Sequence, residues 1–299
     1  MKKLNAKSIF IFIAIGCLYF SGVAAIVYPM VSNIISLSSS KTVISDYVET
    51  VEKMDSSEID AKIEKARLHN KNLAELIYDD GLERVLCGSD GVVCYVEIPS
   101  ISVYLPVYYG TDESVLTKGC GLLENTSLPV GGESVHPVIS GHTGLPSAEM
   151  FTKLDQMKAG DMFYIHVLDQ TLAYKVFESV AVTPDNTKEL YISKGKDYVT
   201  LLTCTPYGIN DKRLLVRGER MPYYQENAVD ASHSDSKDRS GSADDGLAEE
   251  IKHQTTVTAA IIIVAVILYI FALIWFISSL GDKNQTENTE GQDVTRKTD

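Results

Sequence analysis

The 299-residue chain has no CxxC pair, no HExxH run and no internal repeat. Those absences remove a thioredoxin-like redox site, a zincin-type metal site and a solenoid from consideration. Only five cysteines occur, at Cys17, Cys87, Cys94, Cys120 and Cys204, too few and too unevenly spaced for a dense disulfide framework. There is no basic face either. Against 40 acidic residues stand 27 Lys and Arg, and the net charge of −13 excludes nucleic acid as a natural partner. No metal or other cofactor is expected. His136 and His142 are separated by five residues, a gap off the usual zinc spacing, and no second cysteine pair accompanies them.

Long apolar runs, in contrast, are present at both ends. Lys2, Lys3 and Lys7 precede residues 8–28, which are apolar enough to cross a bilayer and end at Pro29. The run exceeds a usual signal-peptide core, and Gly22-Val23-Ala24 is a poor cleavage site, so it reads as an uncleaved anchor. Residues 257–280 carry no charge before Leu280 and also suffice to span. Lys283, Arg296 and Lys297 follow, which places both termini in the cytoplasm and everything between the spans outside the membrane.

Between the spans the texture changes twice. Residues 41–78 place Val43, Tyr47, Val51, Ile59, Ile63 and Ala66 at near-helical spacing, with Asp55-Ser56-Ser57-Glu58 as a break and fresh N-cap. This predicts a helical stalk with one face against the domain. From Val92 onward the pattern is mostly β. Short apolar runs punctuated by Gly, Pro and Asn predict strands at 92–98, 103–109, 135–140, 162–168, 172–183, 198–204 and 213–217. Regular spacing of short strands points to an antiparallel barrel or sandwich. Asp169-Gln170 is the expected hairpin turn, and residues 148–157 the one expected helix, with Phe151 and Leu154 inward and Gly160 as its stop. Residues 227–252, polar and rich in Ser, Asp and Glu, read as a disordered tether to the second span.

Chemistry concentrates at the run Thr200-Leu201-Leu202-Thr203-Cys204. It delivers a thiol to a strand end, where Thr205-Pro206-Tyr207-Gly208 breaks the strand. A second strand opens on Arg213, so a thiol and a guanidinium meet across a hairpin. That pairing suits a thiolate nucleophile beside an anion-stabilising group. Arg217 competes with Arg213 for this role, but Arg213 adjoins the loop. The acid or base should be a histidine distant in sequence and close in space. His69 lies in the stalk, His166 in a strand, and His233 and His253 in the tether. His142 ranks first, because Gly141 and Gly144 let the backbone turn and leave the imidazole accessible; His136 ranks second. Thr203, Thr205 and Tyr207 flank the thiol as candidate substrate-contacting residues. Cys87 and Cys94 are within reach of a disulfide in an oxidising compartment, while Cys94, on an apolar strand face, reads equally as a buried free thiol.

Residues 200–204 resemble the TLxTC signature of sortases, membrane-bound cysteine transpeptidases of Gram-positive bacteria. Residues 210–218 are similar to the segment carrying that family's arginine, and match it at Arg213. Residues 138–146 resemble the block carrying its histidine, and match it at His142. Ile98-Pro99, Gly110-Thr111 and residues 126–132 extend the likeness, in order, over residues 92–220. The loop after Cys204, the Leu-Leu-Val-Arg-Gly ending and the second span look like the class C, pilus-assembling branch. The resemblance implies a closed eight-stranded sortase-like β-barrel with N-terminal helices and a membrane helix at each end. It implies an LPxTG-like sorting motif as substrate and a lysine amine of the next pilin subunit as acceptor. A peptidoglycan-precursor amine, or a non-catalytic pilus-associated binding role, are the alternatives. The Asp-Pro-aromatic lid tripeptide of class C is absent between Tyr78 and Val92, so no lid function is carried over.

The organisation expected is therefore an anchor at 1–30, a stalk and short lid-like segment at 31–91, a catalytic barrel at 92–222, a tether at 223–256, a membrane helix at 257–280 and a cytoplasmic tail at 281–299.

Overall fold

A computed structural model describes residues 6–77, 81–88, 90–223 and 241–295. The start of the lid-like segment (78–80), residues 224–240 of the expected tether, and the cations Lys2, Lys3, Arg296 and Lys297 lie outside the described residues. The chain divides into two compact units, Met1–Val31 with His253–Asp299, and Ser32–Lys252.

The smaller unit holds apolar parts of two helices, α1 (Ala6–Glu52) and α4 (Gly241–Thr295). Windows of these helices reach mean hydropathies of 2.4 and 3.1, so both are long and apolar enough to cross a membrane. Phe12 stacks on Phe276 with ring centroids 4.5 Å apart, and Tyr19 donates its hydroxyl to the Ala265 carbonyl at 2.9 Å. Pro29, expected to close the first span, lies inside α1.

The larger unit is built on an eight-stranded closed barrel, β1 (Val92–Ile98), β2 (Val103–Tyr109), β3 (Cys120–Leu122), β4 (Val138–Ser140), β5 (Met162–Val167), β6 (Gln170–Val182), β7 (Tyr198–Thr205) and β8 (Lys212–Met221). Their order around the barrel is β1-β2-β3-β4-β7-β8-β6-β5, closed by β5 on β1. The barrel is not wholly antiparallel. β2 pairs β3 and β4 pairs β7 in parallel, while the other six pairings are antiparallel. The first parallel pair follows from a crossover: a short helix, α3 (Glu113–Leu116), carries the chain back before β3 begins.

Four local expectations need correction. β3 escaped the sequence pattern because three residues are too few to show alternation. β4 is shorter than the predicted 135–140, since Pro137 has no N–H to add to the ladder. The two-residue hairpin loop is Leu168-Asp169, one position earlier than expected, with Val167 opposite Gln170 and Leu168 at φ 50°. Tyr47 fixes it, its hydroxyl accepting the Leu168 N–H at 2.8 Å. Finally, 148–157 is not a helix but a run of turns ending in a 3-10 turn at Leu154–Gln156; Phe151 and Leu154 are nevertheless fully buried.

The stalk packs as its periodicity predicts. Ile44, Tyr47 and Val51 from α1 join Ile59, Ile63 and Ala66 from α2 (Ser56–Ala74) in the barrel's core cluster, and the helices part at the expected Asp55. Asn70 then grips the backbone of Leu128 with both amide atoms, accepting its N–H at 2.7 Å and donating to its carbonyl at 2.9 Å. The polar stretch before the second span is partly ordered as well. Residues 241–252 are the start of α4, where Leu247 is buried and Ile251 packs on the same core. An i, i+4 apolar pair among Asp and Glu was too sparse a signal to separate from a tether.

Candidate active site

Barrel topology decides which side chains meet. β4 and β7 run parallel, with Val138 opposite Thr200, Ile139 opposite Leu201 and Ser140 opposite Leu202. Both strands therefore point the same way and end at one pole of the barrel. Gly141 continues the register, its N–H donating to Leu202 O at 3.0 Å. His142 follows β4 and Cys204 lies near the end of β7. β8 starts at that pole, and Cys204 is the register partner of Arg213. A residue 62 positions upstream of the thiol and one nine positions downstream thus sit on strands flanking it.

Two side-chain contacts also hold the His142 segment on β7. Thr203, buried, donates its hydroxyl to the Gly141 carbonyl at 2.6 Å and lies 2.7 Å from the Thr143 hydroxyl. Its only proton goes to Gly141, so Thr203 ties the histidine segment to β7. Gly141 is required by packing, since a Cβ there would sit 2.8 Å from the Phe151 ring and 3.3 Å from the Cys120 sulfur. Gly144 adopts φ +78° and lies under Tyr207, whose Cε2 would be 3.1 Å from an added Cβ. Tyr207 itself is exposed, as is Ile209, on the loop between β7 and β8. Thr205, half-buried, pairs with Lys212 where that loop opens. A cis peptide joins Thr205 to Pro206.

The Arg213 guanidinium curls over this loop, its Nη1 donating to the carbonyls of Asn210 at 3.3 Å and Lys212 at 3.2 Å. Opposite the loop, Nε2 of His142 is shielded from solvent and has no hydrogen-bond partner among the described residues. The Glu113 carboxylate approaches it to 3.4 Å without hydrogen-bond geometry. Glu113 was missed in the sequence; its place in the first turn of α3, just after Gly110-Thr111, was the available signal.

A model of the sortase domain family matches residues 96–221. The sortase C of Streptococcus pneumoniae is 48% identical, with a TM-score of 0.57 over 61% of this chain and 97% of that one. A sortase C from Clostridium perfringens, solved with the C-terminal cell wall sorting motif, is 49% identical, with a TM-score of 0.58 over 61% and 99%. The chain belongs to the sortase family. The Sortase A of Bacillus anthracis is also similar, 27% identical over 176 residues, 58% of this chain and 79% of its own length. Sortases are cysteine transpeptidases, and these two solved neighbours are sortase C enzymes.

The competing residues of this sortase have other work. His136 is fully buried; its Nδ1 contacts Tyr191 O at 2.9 Å and its Nε2 the Thr200 hydroxyl at 2.7 Å. A carbonyl only accepts, so Nδ1 carries the proton and Nε2 accepts from Thr200. With both nitrogens used, His136 has none to spare for a metal shared with His142. Burial, and secondarily the charge of Arg217, push its pKa below the usual histidine value, against the Tyr191 contact. Arg217 is engaged elsewhere through its Nη1. It donates to Glu178 at 2.6 Å and Glu189 at 2.8 Å, and its guanidinium lies 5.2 Å from the Phe177 ring. Arg213, by contrast, is the register partner of Cys204, and the contacts of its guanidinium are loop carbonyls. His166 is held by Glu97 at 2.8 Å and stacked on Tyr95 at 4.4 Å, a strand residue as expected.

All five cysteines are free; Cys94 and Cys120 are buried, and desolvation raises the pKa of both. Of the lid-like segment, Leu82–Arg84 forms a 3-10 turn, Leu86 is buried, and Arg84 lies 4.7 Å over the Tyr109 ring. A cavity of about 1130 Å³ lined by Asn70, Glu133, His136 and Tyr191 lies toward the ends where β4 and β7 begin, the pole opposite Cys204.

Proposed function

We propose that this sortase polymerises pilins, with Cys204 as nucleophile, His142 as proton carrier and Arg213 as anion-stabilising donor. The observation supporting these roles is the parallel pairing of β4 with β7, which ends the histidine and cysteine strands at the pole where Arg213 lies near the start of β8; the likeness to sortase C enzymes supports the pilin acceptor. The Cys204 thiolate attacks the Thr–Gly carbonyl of an LPxTG-like motif. Arg213 donates to the developing oxyanion, and His142 gives its proton to the leaving glycine amine, leaving a thioacyl enzyme. A pilin lysine amine then attacks; His142 takes its proton, the new amide forms and the thiolate is released. Thr205 and Tyr207 border the thiol as substrate contacts.

Residues 1–30 and 257–280 act as membrane anchors with both termini cytoplasmic, so the barrel works outside, close to substrates that are themselves still anchored. The lid-like stretch and residues 223–256 connect barrel to anchors.

The test uses the full-length protein in detergent with an LPxTG peptide. Mass spectrometry should find the peptide through its Thr attached to Cys204, and Cys204→Ala should show no adduct. An adduct in Cys204→Ala ends the proposal. Supplying a lysine-bearing pilin beside a peptidoglycan-precursor amine separates the acceptors, and exclusive use of the latter makes this an anchoring enzyme instead. A membrane-impermeant thiol reagent should block Cys204 in intact cells; protection there overturns the topology.

A further inference from the structure

We infer that Glu113 is a positioning residue for His142, acting at Nε2 and so leaving Nδ1 to exchange protons at the thiol; this rests on the reading of His142 given above. Nε2 is shielded from solvent with no hydrogen-bond partner among the described residues. A buried polar nitrogen left unpaired is unfavourable by roughly 1–3 kcal/mol, and the carboxylate oxygen 3.4 Å away is the group able to relieve it. A small tilt of either side chain completes the bond. Glu113 is exposed over 74% of its side chain, and its carboxylate has no other partner among the described residues, so nothing competes for it.

The backbone places this carboxylate firmly. α3 leaves β2 at Gly110 and returns at β3, and Gly121 is so tightly covered that a Cβ there would overlap the Gly110 carbonyl and meet Leu116 at 3.2 Å. Gly121 pairs with Ser140, two residues before His142. The turn holding Glu113 is therefore registered against the strand that delivers the imidazole. A carboxylate accepting from Nε2 selects the tautomer with the proton on that nitrogen and a lone pair on Nδ1. This is how a third group orients the base of a nucleophile pair. Disrupting a buried carboxylate of that kind lowers turnover by about 10⁴. Because Glu113 is exposed and screened, a loss of about tenfold is expected instead.

The experiment compares full-length wild type, Glu113→Ala, Glu113→Asp, His142→Ala and the Glu113→Ala/His142→Ala double variant in detergent, with an LPxTG peptide as substrate. Glu113→Ala should lose about tenfold in kcat with KM within about twofold, and Glu113→Asp should recover much of it. In the His142→Ala background the second substitution should change nothing, the mark of two residues acting through one another. In the neutral ring, the ¹⁵N signals of His142 should show the Nε2–H tautomer in the wild type and a mixture in Glu113→Ala. Unchanged kcat in Glu113→Ala, or an equal loss with and without His142, overturns the inference while leaving the catalytic reading intact. Wild-type activity in His142→Ala overturns both.

Discussion

Thr203 donates its hydroxyl proton to the carbonyl of Gly141 over 2.6 Å, and so fastens the strand that carries the thiol to the segment that carries the histidine. The bond spans 62 residues of sequence, is buried, and is extended by the Thr143 hydroxyl. Replacing Thr203 by Val keeps the shape and leaves the Gly141 carbonyl without that donor. The expected loss is about 1–3 kcal/mol in unfolding free energy, measured by denaturant titration, with transpeptidation falling alongside. Thr203→Ser should restore most of both.

Arg213 and Arg217 should separate cleanly. With Arg213 as the proposed oxyanion donor, Arg213→Ala is expected to lose about a hundredfold in kcat/KM with an unchanged melting temperature. Arg217→Ala leaves Glu178 and Glu189 facing one another without their shared cation. Both carboxylates are partly exposed, so the stability loss should be about 2 kcal/mol, below that of a fully buried pair. Thermal melts and peptide kinetics on the two variants distinguish these outcomes.

Gly141 tests packing beneath the histidine. Gly141→Ala drives a methyl into the Phe151 ring and should lower stability by about 1–3 kcal/mol while displacing His142 and reducing turnover. Phe151→Leu in the same chain opens space and should recover part of the activity. No recovery would mean that the glycine matters for another reason.

His136 makes stability depend on pH. Its pKa is lowered in the folded state, chiefly by burial, while in the unfolded chain it is near 6.5. Above that value both states are neutral and the stabilisation is complete. As pH falls through the window between the unfolded and the lower folded pKa, the unfolded state takes up the proton first, and stability is lost. The melting temperature should therefore drop on acidification below about pH 6.5. In His136→Gln it should start lower at neutral pH, with a shallower acid dependence.

Local pattern in the sequence determined a good deal: the apolar runs at both ends, the stalk with its break at Asp55, seven of the eight strand positions, and the hairpin that sets Cys204 against Arg213. Each of these is written within a few neighbouring residues, because helical and strand periodicities and turn chemistry are short-range. The three-residue β3, the Leu168-Asp169 turn held by Tyr47 and the helical start of α4 around Leu247 were not legible, since distant packing partners stabilise them. For the site, local pattern ranked His142 and Arg213 first and likeness of motif matched both, but only the tertiary structure shows what occupies their rivals. His136 spends both nitrogens on Tyr191 and Thr200, and Nη1 of Arg217 donates to two carboxylates. Closing the barrel decided the rest. It sets β4 parallel to β7, and a parallel pairing brings two strand ends to the same pole however far apart they lie along the chain.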